Sequence, residues 1–135
     1  MKHDIKFPTV EGISIAVVKE QEENSQTLWQ VYLVNSNDFD ITNLTVRSKG
    51  YGNNSEGVFQ ETSTLRYFIN SVGARRYEPI ELIDASVFHL NNEYWVSYFV
   101  NEQIYDKKFI FVPDSIIENN LTPIPILERL GVLHK

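Results

Sequence analysis

The side chains able to do chemistry are few and scattered. Three histidines stand at 3, 89 and 134, and no two have the i, i+2 or i, i+4 spacing that brings imidazoles onto one metal. Cysteine is absent, which removes thiol nucleophiles, thiolate-held zinc, iron–sulfur clusters and disulfides together. Asn35-Ser36-Asn37-Asp38-Phe39-Asp40 gathers oxygen ligands of the kind a hard cation takes. It lacks the glycine and distal glutamate of an EF-hand loop, so it reads as a turn that uses Asn and Asp for its geometry. Asp84, Glu93 and Asp106 lie in strand-like sequence, where nothing sets an acid–base separation. Lys49-Gly50-Tyr51-Gly52 joins a cation to two glycines, but no helix follows to aim its N-terminus at a phosphate. No serine occupies a Gly-x-Ser-x-Gly elbow. No catalytic residue, metal or cofactor is assigned, and the expectation leans away from an enzyme.

Binding has more to work with. Arg75-Arg76 beside Tyr77 could grip a carboxylate, a phosphate or a stacked base. Lys107-Lys108 makes a second basic spot. Yet 12 basic against 18 acidic residues leave a net charge of −6, a field that opposes nucleic acid. RNA contact through these four cations is therefore a second alternative. A small-ligand or enzyme cleft lined by Tyr and Trp, with Asp84, Glu93 or Arg75 converging, is the first. The aromatic residues carry more weight: Tyr94, Trp95, Tyr98, Phe99, Tyr105, Phe109 and Phe111 crowd into two successive strands. The two faces of such a hairpin cannot both fill one core. Its outer face must be covered by another layer or left as an interaction surface. Downstream, Ile124, Ile126, Leu127, Leu130, Val132 and Leu133 are too apolar for a free terminus. They are expected to dock on their own domain or on a neighbouring subunit. The candidate binding residues are Arg75, Arg76, Tyr94, Trp95, Tyr98, Tyr105, Leu127 and Leu130.

The elements that would position these groups are strands. Apolar residues recur with period two, not 3.6. Ile13 to Val18 predicts a first strand, ending in a charged turn over Lys19 to Glu23. In Leu28 to Asn35, Trp29, Val31 and Leu33 fall on one face, and Gln30, Tyr32 and Val34 on the other. A third strand starts at Ile41, with Leu44 and Val46 inward, and is expected to form a hairpin with the second. Gly50 to Gly57 reads as a loop. Thr62 to Asn70 and Ile80 to Leu90 are the fourth and fifth strands, with Pro79 at or before the start of the fifth and the fifth long enough to bend or carry a bulge near Asp84-Ala85. Asn91-Asn92 has the two-residue signature of a tight hairpin leading to a sixth strand, Tyr94 to Val100, and a seventh, Tyr105 to Val112. Past Pro113 the pattern changes. Asp114 or Ser115 could cap a short helical turn, Thr122 to Pro125 must be extended or turn-like, and Ile126 to Leu133 has near-helical spacing.

The run Val31-Tyr32-Leu33-Val34-Asn35, a polar loop, then Ile41-Thr42-Asn43-Leu44-Thr45-Val46 resembles a pattern of immunoglobulin-like and fibronectin-III-like modules. The resemblance implies a β-sandwich, although the cysteine pair of antibody-type domains is missing. The chain of 135 residues is the size of one domain and is 42% hydrophobic. The expected fold is all-β: an immunoglobulin-like sandwich of about seven antiparallel strands over 1–113, and a short helical or extended appendage over 114–135. No apolar run is long enough for a membrane span or, within Met1 to Gly12, for a signal peptide. A cytoplasmic setting follows as the expectation. The expected function is a non-catalytic binding or assembly module with an unidentified protein partner, self-associating as a dimer.

Overall fold

The computed structural model describes residues 7–23 and 26–135, and at 21–23, 26 and 27 the backbone alone. His3 and the charged opening residues lie outside this range. Ten strands occur among the described residues: β1 (Ile13–Glu23), β2 (Gln26–Asn35), β3 (Ile41–Asn53), β4 (Phe59–Glu61), β5 (Leu65–Val72), β6 (Arg76–Asp84), β7 (Asn91–Val100), β8 (Gln103–Phe111), β9 (Thr122–Ile124) and β10 (Arg129–His134). They form two antiparallel sheets packed face to face, a β-sandwich. The first runs β6-β2-β1-β10-β9; the second runs β4-β3-β7-β8, with β5 also paired to β3. No helix among the described residues is long and apolar enough to cross a membrane.

Inward-facing residues of both sheets meet in the main core, where Ile15, Val17, Val31, Leu33, Leu44, Val46, Val96 and Phe109 are fully buried. The first sheet is also covered on its outer face. Ala16, Val18, Tyr32 and Val34 pack there beneath Ile124 and Leu127. Burial on both sides is why β1 and β2 read as near-continuous apolar runs instead of strict alternation. The cover is the turn between β9 and β10, closed by Leu127 N–H to Pro125 O at 2.8 Å and Glu128 N–H to Ile124 O at 3.0 Å. It holds Ile126 at φ 72° and Glu128 at φ 55°. For a β-branched residue that is a strained conformation, sustained here by the packing around it. Arg129 clips the layer down, donating to Glu20 Oε2 at 2.7 Å and to the Tyr32 hydroxyl at 3.1 Å. The guanidinium holds the Glu20 carboxyl below its ordinary pKa.

Several expected connections differ. The second and third strands do not form a hairpin: β2 lies in the first sheet and β3 in the second. The five-residue loop between them crosses the sandwich, latched by Asn35. Asn91-Asn92 does not turn a hairpin either, because β6 and β7 belong to opposite sheets. The Asn92 amide instead donates to the carbonyls of Val87 and Leu90 at 3.0 and 3.2 Å. This closes the crossover after a single 3-10 turn at Ala85–Val87. The strand expected at Ile80 to Leu90 therefore starts earlier and ends at Asp84. The first half of the expected loop, Gly50 to Asn53, is the continuation of β3. Beyond Pro113, a turn through Glu128 and then the strand from Arg129 replace the helical option at Ile126 to Leu133. β10 pairs with β1 over Ile15 to Val18 and with β9 on its other side. The seven expected strands become ten because β4, β9 and β10 are added. The aromatic hairpin is present: β7 and β8 pair from Asn92–Phe111 to Val100–Gln103, turning through Asn101 at φ 55°.

Candidate functional site

Strand β6 is an edge, and its residues do not alternate simply. Val31 pairs with Glu81 and Tyr32 with Pro79, so Ile80 is an extra residue on the β6 side. Pro79 fits here because it lies on an edge strand at a bulge, where no ladder hydrogen bond is required of it. The bulge turns two successive side chains inward. Ile80 enters the core, Glu81 follows it to half-burial, and Leu82 is thrown outward at 58% exposure. Without the bulge Leu82 would be inside and Glu81 in solvent. Gln30 fixes the arrangement by donating its amide to Glu81 O at 2.8 Å.

Glu81 reaches across to the second sheet. Its Oε1 accepts from Ser48 Oγ on β3 at 2.6 Å and from the Tyr67 hydroxyl on β5 at 3.0 Å. Ser48 is 5% exposed, placed inward by the β3 alternation. Tyr94 on β7 lies beneath, 2% exposed. Burial, then the Glu81 charge, pushes the Tyr67 phenol up to about 12. The same two causes raise Tyr94 well above its ordinary value. Both hydroxyls therefore keep their protons and act as donors at neutral pH. Above this cluster, between β3, β5 and β6, opens a cleft of about 260 Å³, whose walls include Leu65, Leu82, Ile83 and Val87. Asp84 stands at its border, its carboxyl lowered by the Ser86 backbone N–H that it accepts at 2.7 Å. Lys49 also borders it, with Nζ 3.1 Å from Glu61. Among the described residues Glu81 itself joins no ion pair.

Buried tyrosines give a pH prediction. Tyr67 and Tyr98 are pushed up to about 12, Tyr98 by burial and then by Tyr105; Tyr32, Tyr51 and Tyr94 are also raised, with burial the largest cause. In the unfolded chain they ionise near 10. The native state thus holds more protons between those values. Stability is fully present below pH ~10 and falls as pH rises toward ~12. Circular dichroism and tyrosinate absorbance should change together in that window. Five tyrosines ionising near pH 10 with the fold intact would contradict this.

The eight candidate residues do not converge on one site. Tyr94 alone borders the cleft. Tyr98 is 2% exposed and stacks on Tyr105, ring centroids 5.1 Å apart and planes within 4°, at the far end of the same inner face. Trp95 lies on the outer face of the second sheet. Arg47 from β3 and Lys108 from β8 sit 3.8 and 4.3 Å from its ring centroid. Its indole N–H is 2.8 Å from both oxygens of Asp106, which also accepts from Ser97. Arg75 occupies the β5–β6 turn at φ 54° and binds Asp38, with N–O distances of 2.6 and 2.7 Å. Asp40 accepts from Ala74 N–H, so the oxygen-rich loop braces a neighbouring turn. Arg76 is exposed at the start of β6. Lys107 faces inward over Phe109, 4.9 Å from its centroid, and Lys108 faces the opposite way. The four cations considered for RNA are dispersed. Leu127 is 7% exposed beneath the tail turn, and Leu130 is 56% exposed. Of the carboxylates expected to converge on a cleft, Asp84 does so, whereas Glu93 accepts from Tyr51 at 3.3 Å on the outer face.

Glu81, Ser48 and Tyr67 were absent from the sequence candidates. One signal could have found Glu81: Pro79-Ile80-Glu81-Leu82-Ile83 breaks alternation next to a proline, and the irregularity lies there and not near Asp84-Ala85. The two sheets, one with a covered outer face and one with an open one, define the molecule as an all-β sandwich with an inter-sheet cleft. No protein-family model matches the chain, and no curated protein matches it significantly.

Proposed function

We propose that the chain is a non-catalytic binding and assembly module that self-associates by pairing the β5 edges of two copies. The observation that carries this reading is that β5 is an unguarded edge. Natural sheets blunt their edges with proline, bulges, shortness or inward charge. Here β6 has Pro79 and its bulge, β9 is three residues long and contains Pro123, and β8 turns Lys107 inward. β5 spans eight residues in unbroken register with β3, with no proline, no bulge and a single charge, the exposed Arg66. It also carries Phe68, which is 79% exposed. Two such edges meeting about a two-fold axis would extend the second sheet across the dimer and bury Phe68 of each copy.

Light scattering over a protein concentration series tests the reading. A monomer–dimer equilibrium is expected for the native chain. Phe68→Asp should leave a monomer with little change in melting temperature, because so exposed a side chain contributes almost nothing to the core. A native chain that is monomeric throughout, or a Phe68→Asp variant that dimerises as before, would count against it.

A further inference from the structure

We propose that the inter-sheet cleft is a binding site for a small primary ammonium ion on a short aliphatic stem, with Glu81 as its counter-charge. This goes beyond self-association and rests on separate observations. The first is charge. Among the described residues, half-buried Glu81 receives hydroxyl donors, Ser48 and Tyr67 among them, but no cation. Hydroxyls satisfy oxygen lone pairs without neutralising a charge. Between low-dielectric walls an uncompensated carboxylate attracts a cation more strongly than it would in water. The nearest lysine in the lining, Lys49, is held by Glu61. Asp84 adds a second negative group at the border, so an anionic ligand is repelled.

The second observation is the mix of groups. An ammonium has three donors to place. Glu81 supplies carboxylate oxygen, and the Ser48 hydroxyl that donates to it retains acceptor capacity of its own; both line the cleft. A bare divalent ion would need six or more oxygens around it, whereas beside the polar Thr62, Ser63 and Asn92 the lining includes four apolar side chains, Leu65, Leu82, Ile83 and Val87. Those side chains suit an alkyl stem. Two of them, Leu65 and Leu82, are exposed at 49% and 58%. The third is size: about 260 Å³ falls just under the usual range of ligand cavities, which begins near ~300 Å³. That limits the occupant to a few heavy atoms.

An amide-resolved NMR titration of the full chain decides it, using n-butylammonium, butyrate and n-butanol as probes. Butylammonium should produce saturable shifts centred on Ser48, Tyr67, Glu81, Asp84 and Tyr94, at least about tenfold tighter than either other probe. Affinity should fall with added potassium chloride. Glu81→Gln keeps the side-chain volume and an oxygen to accept from Ser48 and Tyr67, and should weaken butylammonium binding about tenfold or more. Should that variant not fold, Asp84→Asn and the salt series on the native chain carry the test. Equal affinity for butylammonium and butanol, shifts outside the cleft, absence of saturation, or binding indifferent to these substitutions and to salt would each overturn the proposal.

Discussion

Replacing Asn35 by alanine is expected to destabilise the domain by about 3 kcal/mol, one of the largest effects of any single polar substitution. The side chain is fully buried at the end of β2, where the chain leaves the first sheet for the second. Its amide lies 2.9, 3.2 and 3.0 Å from the carbonyls of Phe39, Val72 and Gly73. Its oxygen accepts from the backbone N–H and the side chain of Asn37 at 3.0 and 3.1 Å. One residue thus ties the β2–β3 crossover to the end of β5. Alanine would orphan carbonyls that water reaches poorly, and each such group costs roughly 1–3 kcal/mol. Against a total stability of about 5–15 kcal/mol for an ordinary domain, that is a large share. Urea unfolding should show a lower midpoint at unchanged slope. Asn35→Asp should be worse than alanine, because a carboxylate would face three carbonyls with nothing to donate. A shift equivalent to less than about 1 kcal/mol for the alanine variant would show that the crossover has another support.

Ending the chain after Asn120 is expected to abolish cooperative folding altogether. The deletion takes β9, β10 and the turn between them. β1 loses its ladder along Ile15 to Val18, and Ala16, Val18, Tyr32 and Val34 lose their cover. Ile124, Leu127 and Val132 are 1%, 7% and 7% exposed. Fully burying a large aliphatic side chain is worth about 1.5–3 kcal/mol, so these three together represent roughly 5–9 kcal/mol. That approaches the whole stability of a domain, before the unpaired β1 edge is considered. Gly131 shows how closely β10 is seated. A Cβ there would lie 3.0 Å from Val17 O and 3.0 Å from Val18 Cγ2. The truncated chain should give no thermal transition and should aggregate, and a peptide spanning 121–135 should restore folding. A sharp native-like transition in the truncated chain would mean that the tail is dispensable.

These expectations mark where the sequence was legible. The inward positions of β3 were readable from alternation, and so was the division of β2 into two faces: Leu44 and Val46 are buried, as are Val31 and Leu33. The apolar tail was also recognised as material that had to dock. Its secondary structure was not readable, since Leu127, Leu130 and Leu133 suit a helix or a strand equally until a partner is present. The cleft was largely illegible. Asp84 and Tyr94 stood among the considered residues, but Glu81, between Ile80 and Leu82, did not.

What the sequence determined by itself was the material of the sandwich: strands of β-branched and aromatic residues, and an apolar end needing cover. Period two is a local property, written into neighbouring residues, so it survives without knowledge of the fold. Tertiary structure alone decided which strands share a sheet and which side chains meet. A five-residue polar loop after Asn35 serves a hairpin or a crossing equally well, and only the carbonyls of Phe39, Val72 and Gly73, brought together by folding, select the crossing. Likewise one extra residue at Ile80, measured against Val31 and Tyr32 on another strand, turned Glu81 inward. Register is a relation between distant segments, and no single segment contains it.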